Sequence, residues 1–246
     1  EELGARLSSI EGGNKRNAIP RECMAVLFVP KKNLAKIQSA VAACNKTMKA
    51  EISSVDADLR ISLEDMPSMK KGKVIKKAQQ KKLCTTIAAL PHGVTKMSAD
   101  IPGLVETSTN VAVINTAKKA IVLATSQRSS VKSELEEIVQ SVASILELGG
   151  AGAEASDGYP GWKPNLDSTI LKIAKTSYKS LYGKDPSVKA IHAGLECGII
   201  GEKFPGMDMV SFGPTMEGVH SPDERIHIDT VEKFWKFVLA ILKNIN

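Results

Sequence analysis

The residue whose type and setting most favour chemistry is His220, in the segment 213–225 (GPTMEGVHSPDER). It lies in a glycine- and proline-rich loop between a predicted short strand, Met209 to Phe212, and a predicted helix. A histidine held in this way can present a ring nitrogen to a metal ion or a substrate. An ordinary loop histidine that makes a turn contact has the same pattern, so the local sequence leaves both interpretations open.

Other polar residues add no second ligand by spacing alone. Asp223 and Glu224 could orient the imidazole of His220, and they equally suit the negative charge expected at the N-terminus of the following helix. His92 and His192 have no metal-ligand spacing and are interpreted as structural.

The cysteines and the apolar runs indicate in which cellular compartment the protein is expected. Four cysteines are widely separated, without a Cys-x-x-Cys pair, which excludes a zinc knuckle or a redox motif by spacing. We interpret each as a small buried hydrophobe in a reducing compartment, and the cytoplasm is the expected location. The longest apolar runs are too short for a membrane-spanning helix, so no membrane association is predicted.

The formal net charge of +6 raises the question of a nucleic-acid partner. Much of the charge is concentrated in one lysine-rich stretch, comprising Lys70, Lys71, Lys73, Lys76, Lys77, Lys81 and Lys82. RNA-binding surfaces usually interleave such charge with stacking aromatic residues, and this stretch has none. The lysines therefore predict the solvated face of a helix rather than a nucleic-acid interface.

Periodicity predicts the elements that must hold these residues in place. In the first part of the chain it predicts strands over 3–11, 22–29 and 58–63, a helix over 31–52 and the lysine-rich helix from 70 to about 90. Strands over 104–114 and 120–126 and a helix over 130–148 follow. From residue 58 to about 155 the order is strand, helix, strand, strand, helix, strand, which is the ferredoxin-like order.

The pattern changes after Gly158. A helix around 166–178 and a closing amphipathic helix around 231–242 enclose two short predicted strands, Val188 to Ile191 and Met209 to Phe212. Two short strands between helices fit a slice of an α/β sandwich, but they are too few to form a sheet alone.

Several sequence words resemble the aminoacyl-histidine dipeptidases, the Xaa-His branch of the M20 zinc metallopeptidases. The words are RNAIPRE at 16–22, GLVETSTN at 103–110, DGYPGWKP at 157–164, IHAGLECG at 191–198, MDMVSFGP at 207–214 and the loop of His220. The resemblance implies an α+β and α/β fold. Residues 1–156 would form most of a ferredoxin-like lid domain, an antiparallel sheet with helices on one face. Residues 157–246 would be the C-terminal part of the catalytic domain.

The resemblance also implies two zinc ions, which enzymes of this kind use to activate water. His220 is the one residue that matches a metal ligand of the family. The family carries a His-x-Asp pair, a bridging Asp, an adjacent Glu-Glu pair and a Gly-Gly-His-Ser-Gly segment in its N-terminal part, and no segment of this sequence resembles that part. We therefore expect a C-terminal portion of a longer enzyme, whose partner is the missing N-terminal catalytic segment and which is inactive alone.

For the substrate, a small dipeptide, the resemblance implies four contact residues. Arg128 matches the lid arginine that grips the C-terminal carboxylate, a task that suits a planar guanidinium. Asn17 matches a lid asparagine, although a turn former has the same sequence setting. Gly194 and Glu196 would belong to the wall of the pocket, and Glu196 could instead be a structural acid.

Two alternative functions stay open. Another M20-type amidohydrolase, a deacylase or carboxypeptidase, shares the superfamily. A zinc-free lid or dimerisation module is the other alternative, because ferredoxin-like sheets often form homodimers and a zinc site needs about three or four ligands. The words HAGLECG and GYPGW favour the dipeptidase.

Overall fold

The computed structural model of the 246-residue chain describes residues 3–66, 71–99, 101–156, 158, 160–162, 165, 167–189, 196–219 and 223–245. The helices are α1 Leu34–Ile52, α2 Lys77–Ala89, α3 Lys132–Leu148, α4 Thr169–Tyr182, α5 Glu196–Lys203 and α6 Ile228–Asn244. The strands are β1 Arg6–Gly12, β2 Cys23–Phe28, β3 Gly93–Met97, β4 Val105–Thr116, β5 Ile121–Ser129, β6 Met216–Glu217 and β7 Arg225–Ile226. A 3-10 turn, Lys31–Asn33, leads into α1. No helix within these ranges is long and apolar enough to cross a membrane.

The main sheet has five strands and is organised around β4. Its order is β2-β1-β4-β3, and β5 also pairs with β4. β1 runs antiparallel to β2, and its last residues, Glu11 and Gly12, pair with Asn115 and Ile114 of β4. β3 pairs antiparallel with the first half of β4. The predicted class, an antiparallel sheet combined with helices, is confirmed.

One side chain extends the ladder between β1 and β4. The hydroxyl Oγ1 of Thr116 accepts a hydrogen bond from the backbone N of Ile10 at 2.8 Å and donates one to the backbone O of Ile10 at 3.0 Å. Both backbone groups of Ile10 are therefore satisfied by a residue of the neighbouring strand through its side chain. Buried backbone groups need such partners.

The lysine-rich segment begins its helix later than the sequence predicts. Residues 71–76 belong to no helix or strand, and the backbone N of Ile75 donates to the backbone O of Leu7 in β1 at 2.8 Å. Once α2 has begun, the buried side chain of Gln80 accepts from Leu7 N at 2.9 Å and donates to Ala5 O at 3.1 Å. These hydrogen bonds hold the segment against β1, which explains why the helix starts at Lys77 rather than Lys70.

The strand predicted at Asp58 to Leu63 is wrong, although its pattern is real. Leu59, Ile61 and Leu63 are half-buried and the polar residues between them are exposed. The backbone N of Ile61, however, donates to the side-chain Oδ1 of Asn45 in α1 at 2.8 Å instead of joining a ladder. Alternation here reports contact with a helix, which periodicity alone cannot distinguish from a strand.

β3 was not predicted from the sequence. All five of its residues are exposed, so it shows no alternation of burial. Between residues 58 and 155 the order of the described elements is therefore helix, three strands, helix, without the first and last strands of the predicted order. The predicted burial of the cysteines is also wrong, because Cys23, Cys44 and Cys84 are exposed and Cys197 is half-buried.

In the C-terminal part, α4 packs against α6, as the two amphipathic patterns predict. Ala174, Phe237 and Ile241 form the buried cluster, and the ring of Tyr178 stands edge-on to Phe237 with 5.3 Å between centroids. The strand predicted at Met209 to Phe212 is wrong. The ring of Phe212 instead packs on Phe237, with 4.8 Å between centroids. Val188 and Lys189 form no strand, and the rest of that predicted strand lies outside the described residues.

The chain falls into two compact units. The first comprises Glu1–Leu90, Val111–Thr125 and Ile145–Gly152. The second comprises Pro91–Asn110, Ser126–Ser144 and Ala153–Asn246. The domain boundary predicted at residue 156 stays a prediction.

Candidate active site

Arg128 lies one residue before the end of β5 and is half-buried. The residues on either side of it are tied to threonines of β4 that are only 2% exposed. Gln127 Nε2 donates to Thr109 Oγ1 at 3.0 Å, and the hydroxyls of Ser129 and Thr107 share a hydrogen bond of 2.9 Å. The backbone that carries Arg128 is therefore fixed from both sides.

The strand end is also tied to an ion-pair network. Ser130 N donates to the backbone O of Glu106 at 3.1 Å. The carboxylate of Glu106, whose side chain is 12% exposed, lies 3.1 Å from Lys96 Nζ, and Lys96 also binds Glu134 of α3. Its hydrogen bond to Glu134, then that to Glu106, raises the pKa of Lys96. Lys96 therefore stays charged and serves as a bridge rather than a proton acceptor.

A short segment, Pro160–Gly161–Trp162, passes directly over this strand end. We call it the Pro-Gly-Trp segment. A methyl group on the Cα of Gly161 would stand 2.4 Å from the backbone O of Ser129 and 3.0 Å from the Cα of Ser130. On α5, a methyl group on Gly198 would stand 2.3 Å from the backbone O of Pro160. The end of β5, the Pro-Gly-Trp segment and α5 are thus stacked at backbone contact.

This stack connects two of the predicted substrate residues within the second compact unit. Arg128 adjoins Ser129, and Glu196 opens α5 two residues before Gly198. Glu196 is therefore the first residue of a helix and is exposed, rather than part of a loop. Asn17 is exposed in the turn between β1 and β2, in the first unit. Gly194 and His220 lie outside the described residues.

The loop of His220 is flanked by a two-residue strand pair, β6 and β7. Across it, Arg225 donates to Glu217 Oε2 through Nε at 2.9 Å, and His227 Nε2 lies 3.0 Å from Glu217 Oε1. The hydrogen bond from Arg225, followed by that from His227, lowers the pKa of Glu217. The sequence did not reveal this group, since its members have no motif spacing.

The described residues do not by themselves fit a two-zinc centre. Among them, no group of three or more histidine, cysteine, aspartate or glutamate side chains converges to hold a metal ion. Nor does Cys197 offer a nucleophile at neutral pH. Burial, and next the charge of Glu196, raises the pKa of its thiol, which disfavours the reactive thiolate.

The fold and the sequence motifs both match one family of peptidases. The sequence pattern of Peptidase family M20/M25/M40 matches residues 17–244, so the chain belongs to this family. The resemblance inferred from the motif words is confirmed.

Two relatives define the likeness further. The chain is 36% identical over 245 residues to the cytosol non-specific dipeptidase of Escherichia coli (strain K12), covering all of this chain and 50% of that protein. It superposes on the crystal structure of the aminoacylhistidine dipeptidase from Vibrio alginolyticus with a TM-score of 0.81 at 38% identity, again over all of this chain and 50% of the other. The chain thus spans about half the length of the relatives it matches.

Proposed function

We propose that the chain supplies the lid (residues 1–156) and the last part of the catalytic domain (157–246) of a cytoplasmic zinc dipeptidase that hydrolyses Xaa-His dipeptides such as carnosine. The observation that carries the proposal is the match of the whole chain, at a TM-score of 0.81 and 38% identity, to an aminoacylhistidine dipeptidase. The cytosolic location rests on the name of the Escherichia coli relative.

Arg128 is the proposed grip on the substrate's C-terminal carboxylate. Its half-buried position next to a fixed strand end suits a bidentate guanidinium–carboxylate pair, which gains from partial exclusion of water. Exposed Asn17, together with Gly194 and Glu196, would complete the substrate contacts. Ala or Lys at position 128 would lose the fork geometry.

His220 is the proposed ligand to one of two zinc ions. The remaining ligands would come from a segment that this sequence does not contain, since the described residues offer no converging set. The chain's own contribution would therefore be one zinc ligand together with binding and orientation of the substrate. A homodimer and a non-catalytic lid role are compatible with the same fold, but no contact described above favours them.

The test compares carnosine with its C-terminal amide in the complete enzyme and in this chain alone. We expect the complete enzyme to hydrolyse carnosine and the isolated chain to be inactive. Arg128→Lys should lower kcat/KM for carnosine by roughly 10- to 100-fold, the value of a hydrogen-bonded charge, and should leave the slower hydrolysis of the amide unchanged.

Three results would count against the proposal. Zinc-dependent hydrolysis by the isolated chain, free of contaminating enzyme, would show that the metal ligands are already present. Equal loss for carnosine and its amide in Arg128→Lys would remove the carboxylate grip. Preferential cleavage of N-acyl amino acids over Xaa-His dipeptides would favour the deacylase alternative.

A further inference from the structure

The two glycines of the stacked region are needed for space and not for backbone conformation. Neither Gly161 nor Gly198 has a positive φ, so alanine could adopt either backbone. Gly198 even stands inside α5, where alanine would favour the helix by about 1 kcal/mol. What excludes a side chain is contact with backbone oxygen atoms, at 2.4 Å for Gly161 and 2.3 Å for Gly198.

The two glycine contacts meet on the Pro-Gly-Trp segment. Gly161 lets the Pro-Gly-Trp segment lie against the backbone of Ser129 and Ser130, and Gly198 lets α5 lie against Pro160 on the same segment. The Pro-Gly-Trp segment is therefore a spacer between the end of β5 and α5, and a glycine lies at each of its two contacts. Its thickness sets how far α5 lies from the strand end that carries Arg128.

The atoms that would clash with an added methyl group belong to the main chain and cannot easily move aside. A side-chain neighbour could rotate away, but the oxygens of Ser129 and Pro160 belong to the main chain, and Ser129 is further held by Thr107 and by Val131 N at 3.1 Å. An added methyl group needs about 3.5 Å to a neighbouring heavy atom. Each alanine would therefore push α5 away from β5 by about 1 Å.

We propose that Gly161 and Gly198 are positioning residues that set the separation between Arg128 and the Glu196 end of α5, and so place the terminal carboxylate of the dipeptide. The inference rests on the proposed function, since it assigns these glycines to the same substrate site. A displacement of about 1 Å in a bound substrate can cost on the order of 100-fold in rate. The spacer is thus a determinant of carboxylate selectivity that acts through Arg128.

The chain offers a matched control for each glycine. Gly158 has no heavy atom within 4 Å of an added methyl group and lies three residues before Gly161. Gly201 lies in α5, one turn after Gly198, and an added methyl group there meets only the flexible Cε of Met209 at 3.0 Å. Gly158→Ala and Gly201→Ala should therefore leave the spacer intact.

The experiment measures kcat and KM of the complete enzyme for carnosine and for carnosine amide. We expect Gly161→Ala and Gly198→Ala each to raise KM for carnosine at least tenfold and to leave KM for the amide within twofold. The preference for the free carboxylate then collapses, as in Arg128→Lys. The two control variants should keep the preference of the unmodified enzyme.

A purely structural role would lower the activity on both substrates equally, and that outcome overturns the inference. So does an unchanged preference in both glycine variants. If the unmodified enzyme does not hydrolyse carnosine, the proposed function fails and the inference falls with it. If it does hydrolyse carnosine, and both glycine variants keep the same substrate preference as their controls, the inference about the glycines fails while the proposed function stands.

A second measurement covers variants that do not fold. In the unmodified enzyme, hydrogen exchange of the amides of Gly161 and Trp162 should slow when carnosine is added, together with that of Ser130, because the segment and the strand end form one side of the site. Slowing at Ser130 without slowing at Gly161 and Trp162 would contradict the inference.

Discussion

The sheet region, residues 6–148, and the C-terminal region, residues 165–245, satisfy their backbones in different ways. In the sheet region the strands pair along a five-stranded ladder, and Gln80 and Thr116 complete it with side-chain atoms. In the C-terminal region the only described strand pair has two residues on each side, and the order comes from α4 packing on α6. One region is ordered by strand pairing, and the described part of the other mainly by packing between helices.

Both regions leave large apolar side chains exposed, among them Val55 and Leu148 in the sheet region. α6 buries Phe237 and Ile241 against α4, yet Ile228, Trp235 and Leu242 are 82%, 58% and 61% exposed on the same helix. Contiguous exposed apolar surface is unusual in soluble monomers. The two regions therefore differ in how their backbones are paired and not in whether they expose apolar side chains.

Hydrogen exchange tests this difference most strongly. Amides within β4 should exchange roughly a thousandfold more slowly than those of Met209 to Phe212, because opening β4 requires global unfolding. The second set forms no ladder in the structure. Equal protection of both sets in a monomeric sample of the chain would remove the contrast. A dimeric sample would not serve, since association could cover the second set.

Substitutions on α6 sharpen the comparison within one helix. Phe237→Ala should lower the free energy of unfolding by about 3–5 kcal/mol, because it empties the α4–α6 cluster. Trp235→Ala, on the exposed face, should cost far less. Urea unfolding followed by circular dichroism measures both. A larger loss for Trp235→Ala would mean that the exposed face is covered in solution.

In the sheet region, the matching test is Gln80→Leu. The substitution keeps the volume but leaves Leu7 N and Ala5 O without their partners at 2.9 and 3.1 Å. We expect a loss of about 2 kcal/mol, the cost of unsatisfied buried groups. Gln79→Leu, at an exposed neighbouring position, is the control. If the two variants unfold at the same urea concentration, the side chain of Gln80 does not support β1.

The smallest expected effect concerns the start of α4. The hydrogen bond from Ser168, then that from Ile170 N at 2.9 Å, lowers the pKa of Asp208 from its ordinary value of 3.8. The unfolded chain then binds this proton more readily, so Asp208 stabilises the fold above pH 3.8 and loses that effect as the pH falls through its folded value. Asp208→Asn should therefore be less stable than the unmodified chain near neutral pH.

Urea midpoints of both forms, measured across this range, give the check. The difference between them should shrink below pH 3.8. A difference that is constant with pH would show that the amide replaces the carboxylate without loss, or that the effect is steric.

Sequence reasoning succeeded where a pattern and a partner coincide. β1, β2, β4 and β5 and helices α1, α3, α4 and α6 were predicted to within a few residues. The apolar faces of α4 and α6 meet each other, and β1 pairs with both β2 and β4. At Met209 to Phe212 the pattern was the same, but within the described chain no strand edge lies beside it to complete a ladder. A strand forms only when a neighbouring strand pairs with it, and the periodicity of one segment does not show whether that neighbour is present.

The site divides in the same way. Arg128 and Glu196 could be named from motif words, and the structure connects them through the Pro-Gly-Trp segment. The role of Gly161 and Gly198 in that connection was not predictable. Close approach of two backbones has no periodicity, and a glycine in a sequence does not show which atoms lie beside it. The bridge from Lys96 to Glu106 and Glu134 escaped for a similar reason, since its members come from three separate elements.

The junction between β1 and β4 depends on the side-chain hydroxyl of Thr116, so a mutation at this position can weaken it. Every amino acid except proline supplies both backbone hydrogen-bonding groups, so most substitutions leave the backbone hydrogen bonds of a sheet in place. Here both bonds to Ile10, at 2.8 and 3.0 Å, belong to a side chain. Thr116→Ala or Thr116→Ile, each reached by a single nucleotide change, would remove this hydroxyl and shorten the ladder. The strength of this junction can therefore change through a single codon, as can that of the contact between Gln80 and β1.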